Sequence, residues 1–323
     1  LQRRHQKIVE EAPSPTLTPD LRSKMGEAAV ALCKQINYTN AGTIEFLVDK
    51  DLNFYFLEMN TRIQVEHPVT EFITGIDIVE QQIYIAEGKA LSIQQDDVKM
   101  KGHAIESRIY AESPANNFNP SPGFIRLYRE PDLSGIRIDS GLEKETEITG
   151  YFDPMISKLI TYAADRDEAC LKMIAALEQY AVLGIDTNIT YLRALMKNEH
   201  YIENRISTTW CDEHTTEIVD KISLEKSNVN HVFPAIAYFT SKLLKKKKSD
   251  SVWHQIGYWR VNSTIKCSIE NTVCDAAFHR INEKELLFYI DNIQYSVQWI
   301  DSGNSMILFI NDALHTFYIS DCS

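Results

Sequence analysis

The sequence predicts an α+β protein of more than one domain, ending in an antiparallel β-barrel packed around or against one long helix. Three observations carry that expectation. Strand-like and helical stretches alternate as far as about Glu213. The composition turns polar near Asp212 and between Ser223 and Asn230. From Ile256 onward, short apolar runs recur between turn signals such as Asp291-Asn292, Ser302-Gly303-Asn304 and Asn311-Asp312. With 323 residues the chain can form two or more cores, and 44% hydrophobic with 24% charged residues is ordinary for a globular protein. A formal net charge of −12 argues against nucleic acid as a partner. No apolar run approaches ~18 residues, so no membrane span is expected. The six cysteines are scattered without a Cys-x-x-Cys pair and read as reduced thiols, Cys267 and Cys274 included.

Residues 2–10 alternate weakly and read as one strand, which Pro13 and Pro15 break. Thr18-Pro19-Asp20 opens a helix, with Thr18 as N-cap and Pro19 in the first helical position. Leu21, Met25, Ala28, Leu32 and Ile36 recur at helical spacing and predict a buried stripe. Thr43–Val48 and Phe54–Glu58 are two strands joined as a hairpin. A register symmetric about Asp51-Leu52 puts Glu45 opposite Glu58. Carboxylates so opposed, with Cβ atoms ~5 Å apart, repel each other. A divalent cation removes that repulsion, and Asn60 adds another hard oxygen donor.

The strand runs into Glu58-Met59-Asn60-Thr61-Arg62-Ile63-Gln64-Val65-Glu66-His67-Pro68. Alternation places Phe54, Phe56, Glu58 and Asn60 on one face, and Arg62, Gln64 and Glu66 continue that parity. A Glu-x-Asn-x-Arg taken alone is usually a solvated strand end with an Arg62–Glu66 ion pair. Pro68 to Gly75 reads as a turn or short helix, and Asp77 to Ala86 as a helix ended by Gly88. Lys99 beside Met100 lies in a loop without hairpin character. Gly102–Tyr110 is a strand with Ile105 and Ile109 on one face and Glu106 and Arg108 on the other. On its own, an Arg beside a Glu on a strand is usually a structural ion pair. Pro120–Gly123, Tyr151–Ile160 and Gly184–Asn188 read as packing and turn signatures. A helix bearing Met173, Leu177 and Tyr180 precedes the last of them. His231–Leu244 is an apolar helix with Val232, Ala235, Ile236, Phe239 and Leu243 on its face. Lys245–Lys248 read as a solvated loop.

The run from Glu58 to Pro68 resembles the metal and bicarbonate site of biotin carboxylase, an ATP-grasp enzyme whose pattern is Glu-Met-Asn-x-Arg-x-Gln-Val-Glu-His. Nothing departs from it here. The likeness runs from Gln2-Arg3-Arg4-His5-Gln6-Lys7 through the chain, weaker after Glu213, and is similar to the biotin-carrying α-subunits of acyl-CoA carboxylases. It implies the C-terminal part of an ATP-grasp domain over 1–96 and a biotin carboxylase C-terminal domain over 97–214. A helix-plus-barrel subunit-docking domain would follow over 215–323. It also implies roles. Arg62, Glu66 and Arg108 would be catalytic, with Glu66 as base and Arg108 on the biotin ureido oxygen. Lys7, Arg62, Gln64 and Val65 would bind bicarbonate. Gln2, His5, Leu47, Leu57, Glu45 and Glu58 would bind ATP, and Glu45, Glu58 and Asn60 would hold Mg²⁺ or Mn²⁺.

The implied cofactors are ATP, the metal, and biotin on a carrier domain outside this chain. The implied partners are that carrier domain and a carboxyltransferase β-subunit, in a hetero-oligomer of the cytoplasm or mitochondrial matrix. No Gly-rich phosphate loop is visible, so this stretch alone is expected to be inactive. Two alternatives stay open: another ATP-grasp ligase such as a carbamoyl-phosphate synthetase, and a non-catalytic assembly protein that kept the fold.

Overall fold

The computed structural model describes residues 1–142, 146–227, 232–244, 265–269, 272–282, 285–291, 293–301, 305–311 and 313–319. The chain divides into two compact units, Leu1–Ile222 and Ser223–Ser323.

The first unit opens with a hairpin where one strand was expected. Strand β1 (Gln2–Arg3) pairs antiparallel with β2 (Gln6–Lys7), Gln2 opposite Lys7. Arg4 and His5 make the turn at φ 47° and 65°, a left-handed pair of the kind two-residue hairpin turns require. Neither residue is Gly, Asn or Asp, so the turn carries no compositional signal. Arg3 anchors it from inside. The buried guanidinium donates to Glu112 at 3.1 Å and Gln6 at 3.2 Å, and lies 3.9 Å from the Phe118 ring centre. The chain then resumes as β3 (Val9–Ala12).

Helix α1 (Pro19–Gln35) begins as its cap residues dictate, with the Thr18 hydroxyl accepting from the Leu21 amide at 3.2 Å. Its apolar stripe is a core only at the start: Leu21 is buried, whereas Leu32 and Ile36 are exposed. Helical spacing reports that a face is apolar and is silent on what covers it.

Strands β4 (Thr43–Val48) and β5 (Phe54–Asn60) form the expected hairpin. Their register is not the simple symmetric one. Phe46 faces Phe56 and Val48 faces Phe54, and a bulge at Leu57 then brings Glu58 opposite Glu45. Neighbouring residues of β4 point to opposite faces. The bulge therefore parts Phe54 and Phe56, which pack on Phe46, from Glu58 and Asn60, which share the face of Glu45. The single-face alternation expected from Phe54 to Asn60 is corrected by that one extra residue.

Helix α2 (His67–Thr74) ends at Gly75, whose φ of 73° supplies the left-handed cap. Asp77 caps α3 (Ile78–Ala86) by accepting from the Glu80 amide. Strands β6 (His103–Tyr110), β7 (Ile136–Ser140) and β8 (Met155–Ala163) join β3 in a four-stranded antiparallel sheet ordered β7-β8-β6-β3. Its two faces differ in chemistry. Ile105, Ile109 and Leu159 pack on Met173 and Leu177 of α4 (Arg166–Gln179). Ala104 and Ile160 on the other face meet Val69 and Ile73 of α2. By alternation, that second face also carries Glu10, Glu106, Arg108 and Lys158. Helices α5 (Ile189–Met196) and α6 (Trp210–Ser227) complete the core with Leu192, Leu195, Trp210 and Ile218.

In the second unit, α7 (Val232–Leu244) buries Ile236 and Ala237 against Phe288, Val297 and Leu308 of a six-stranded sheet. The strands are β9 (Ile265–Ile269), β10 (Thr272–Asn282), β11 (Glu285–Ile290), β12 (Ile293–Asp301), β13 (Ser305–Ile310) and β14 (Ala313–Tyr318). Among the described residues each pairs antiparallel only with its neighbours in sequence, and the first and last are not joined. The expected barrel is thus an open meander with a helix on one face. Alternation and turn spacing are the same for both. Closure depends on strand tilt and stagger, which a sequence does not display. Asp291 and Asn311 turn the chain at φ 48° each, and Cys267 lies opposite Cys274 in the ladder. The lysine run 245–248 and the turn 302–304 fall outside the described residues.

Candidate active site

The site assembles where the polar face of the four-stranded sheet meets the β1–β2 hairpin, the base of the β4–β5 hairpin and the turn into α2. Lys7 of β2 is its centre. Its ammonium donates to Glu45 Oε1 at 2.8 Å and to Glu66 Oε1 at 2.7 Å. Burial works against that cation, but the bonds to Glu45 and Glu66 outweigh it and raise its pKa. Arg108 reaches the same carboxylate from β6. Its Nη2 donates to Glu66 Oε2 at 3.0 Å, while Nε donates to Glu10 Oε1 at 2.6 Å.

Glu66 is therefore held on both oxygens by cations from different elements. Burial alone would raise its pKa. The Lys7 bond, its own backbone N–H and Arg108 more than offset that, so its carboxyl titrates below the usual range. Glu10, bonded to Arg108, goes the other way: burial dominates and raises it.

The turn from Thr61 to Glu66 carries the remaining groups. Gln64 is buried and donates to Glu45 Oε1 at 3.0 Å. The Val65 carbonyl accepts from Lys158 of β8 at 2.7 Å. Asn60 Nδ2 donates to Glu45 Oε1 at 3.2 Å and to Glu58 Oε1 at 2.9 Å. It thereby bridges the two carboxylates that the β4–β5 register opposes. Lys7, Glu45, Glu58, Asn60, Gln64, Glu66 and Arg108, all singled out by sequence, are thus joined in one network, and Val65, next to Glu66 in the chain, is held separately by Lys158.

The other sequence candidates lie at its rim. Arg62 is exposed and donates to the Ile63 carbonyl at 3.1 Å. The Arg62–Glu66 ion pair of the simplest sequence reading is not formed, since Glu66 bonds to Lys7 and Arg108. Leu47 and Leu57 are exposed on the hairpin, His5 is exposed at the β1–β2 turn, and Gln2 faces Lys7 across that hairpin.

Glu10, bonded to Arg108, and Lys158, bonded to the Val65 carbonyl, are two neighbours that the sequence reading missed. For Lys158 a signal existed: a lysine inside the apolar strand Met155-Ile156-Ser157-Lys158-Leu159-Ile160 must find a buried partner. Among the described residues, no group of three or more His, Cys, Asp and Glu side chains could hold a metal, and none of the helices is long and apolar enough to cross a membrane.

Residues 1–94 match the carbamoyl-phosphate synthase L chain, ATP binding domain family, and residues 106–213 match the biotin carboxylase C-terminal domain family. The chain is 50% identical over 213 residues to the biotin carboxylase of a Nostoc species, covering 66% of this chain and 48% of that protein. Against the mitochondrial propionyl-CoA carboxylase α chain of Homo sapiens, identity is 48% over 234 residues, 72% of this chain and 32% of that one. The biotin carboxylase domain of Hydrogenobacter thermophilus 2-oxoglutarate carboxylase was crystallised with MgADP, ADP and bicarbonate. It superposes with a TM-score of 0.66 at 46% identity, covering 68% of this chain and 48% of that one. The chain spans less than half the length of these relatives. Two consecutive family matches, with identity near one half across both, identify residues 1–213 as a biotin carboxylase region of the ATP-grasp kind, related to the α-subunits of acyl-CoA carboxylases.

Proposed function

We propose that this chain is the biotin carboxylase component of an acyl-CoA carboxylase, using MgATP and bicarbonate to carboxylate biotin on a carrier domain. The observation that carries the reading is the Glu66 carboxylate, half-buried, ionised and gripped by Lys7 and Arg108. An anion that draws Lys7 away removes the strongest contribution holding the Glu66 pKa down. The carboxylate then becomes a stronger base at the moment bicarbonate arrives. Arg62, exposed beside it, has the planar fork suited to a planar anion, with Gln64 and the Val65 backbone alongside. Bicarbonate attack on the ATP γ-phosphorus yields carboxyphosphate and ADP, and charge neutralisation at the phosphates is the main demand on the protein.

Glu45, Glu58 and Asn60 would hold Mg²⁺ or Mn²⁺. Two carboxylates and one amide oxygen are a hard donor set, too small to enclose a cation alone, which suits a metal shared with phosphate oxygens. Asn60 now turns its Nδ2 to both carboxylates, so its amide would flip to offer oxygen. The metal would supply neutralisation of the phosphate charge. The exposed Leu47 and Leu57 would flank the adenine, with Gln2 and His5 near the nucleotide. Biotin, when delivered, would supply an accepting ureido nitrogen. Arg108, already cationic in the site, would hold the ureido oxygen as charge develops there.

The biotin carboxylase C-terminal match over 106–213 favours this reading over a carbamoyl-phosphate synthetase, and the intact charge network favours it over a non-catalytic assembly protein. The carrier domain and a carboxyltransferase subunit would be the partners, with residues after 214 serving assembly. Several relatives are mitochondrial proteins, which supports the mitochondrial matrix, or the cytoplasm in an organism without mitochondria.

The test compares folded variants of the complete carboxylase by MgADP affinity and biotin carboxylation. Glu66→Gln should cut turnover by ~10²–10⁴ with nucleotide affinity nearly intact. Arg62→Ala should behave similarly, and Glu58→Gln should instead raise the Mg²⁺ requirement. Equal loss of nucleotide affinity in Glu66→Gln and Glu58→Gln would show that Glu66 is not the base.

A further inference from the structure

We propose that Lys158 is a positioning residue for the reaction, fixing the peptide between Val65 and Glu66 and so aiming both the base and the bicarbonate-facing turn. The inference rests on the reading of Glu66 as base. Lys158 is mostly buried, its side chain only 11% exposed. It sits directly opposite Arg108 across the β6–β8 ladder. These two neighbouring cations take hold of one short segment: Lys158 donates to the Val65 carbonyl at 2.7 Å, and Arg108 to the Glu66 carboxylate at 3.0 Å.

A trans peptide is planar, so fixing the Val65 carbonyl fixes the Glu66 N–H on the opposite side. That peptide leads directly into Glu66, whose carboxylate Arg108 holds from the neighbouring strand. The lysine thereby sets the rotation of the backbone unit that carries the base. Lys158 is in turn aimed by Asp139, its ion-pair partner at 3.2 Å. Arg137 ties Asp139 at 2.7 Å to Glu71 of α2, also at 2.7 Å. The middle of α2 and the turn before it are thus tied to β7 and β8 through Glu71–Arg137–Asp139–Lys158 and the Val65 carbonyl. A lysine that merely neutralised Asp139 would have no need of the Val65 carbonyl.

The test uses the complete carboxylase with Lys158→Met, Lys158→Arg and Glu66→Gln, assayed for bicarbonate-dependent ATP cleavage and normalised to ADP-binding sites. For Lys158→Met, kcat should fall roughly 10- to 100-fold, as expected for a misplaced catalytic group. The bicarbonate KM should rise several-fold while the ATP KM stays unchanged. Lys158→Arg, which keeps a cationic donor, should restore most of the bicarbonate KM. Unchanged KM values for both substrates, or a parallel rise in both, would overturn the inference in favour of a purely structural ion pair. If Lys158→Met does not fold, Lys158→Gln, polar but too short to reach Val65, is read against the same outcomes. A Glu66→Gln enzyme with full activity would defeat the base assignment itself. Loss of activity in Glu66→Gln beside a wild-type bicarbonate KM in Lys158→Met would defeat only the role of the lysine.

Discussion

Glu106 shares the polar face of β6 with Arg108, yet it is fully buried and neither carboxyl oxygen has a hydrogen-bond partner among the described residues. It faces Glu10 on one side and Ile160 on the other. Burial first, and then the Glu10 charge, raise its pKa to about 9, with Lys158 and Arg108 opposing. Between the ordinary carboxyl value and about 9 the folded state keeps a proton that the unfolded chain has released. Stability therefore falls as pH rises through that window, by at most about 1.4 kcal/mol per pH unit. Glu106→Gln lacks this loss. Its stability advantage over the parent, measured by urea unfolding, should widen from pH 5 to pH 9. A gap independent of pH would show that Glu106 is ionised in the fold. Alternation alone placed Glu106 and Arg108 on one face. It could not show that only one of the two would find a partner, because that depends on which strands flank β6.

At the scale of elements, two departures from regular pairing build the site. The bulge at Leu57 keeps Glu58 opposite Glu45 while sending the phenylalanines to the other face. The β1–β2 turn places Lys7 between two carboxylates, and Arg3 holds that turn through its buried ion pair with Glu112. Removing one partner of such a pair leaves an uncompensated charge, worth about 3–5 kcal/mol. Arg3→Met should therefore destabilise the first unit by about that amount, and adding Glu112→Leu should recover most of it. A double-mutant cycle by chemical unfolding checks this. Additive losses would mean that the hairpin is held by other contacts. Neither departure was legible beforehand, since a bulge and a turn without glycine or asparagine leave the hydrophobic pattern almost unchanged.

At the scale of the molecule, the described residues of each unit carry their own apolar packing, on both faces of the four-stranded sheet in the first unit and between α7 and the meander in the second. Ile218 packs in the first core although it lies well along α6, so a clean truncation falls after Ser227. Deleting 228–323 from the complete carboxylase should spare carboxylation of free biotin and abolish acyl-CoA carboxylation. Loss of both activities in a folded deletion would refute an assembly role for the C-terminal unit. The sequence by itself determined α1 with its Thr18 cap, α3, α4 and α7, the β4–β5 hairpin, and a Glu-Met-Asn-x-Arg-x-Gln-Val-Glu-His run that carries the family resemblance. Those features are local: a cap, a turn or a motif is complete within a dozen residues. Only the tertiary structure decided that Glu66 pairs with Lys7 and Arg108 instead of Arg62, that Glu10 bonds to Arg108 and Lys158 to the Val65 carbonyl, and that the six strands described after α7 stay open. Each of those outcomes depends on partners brought together from distant parts of the chain, and on strand tilt and stagger, which no local pattern of residue types records.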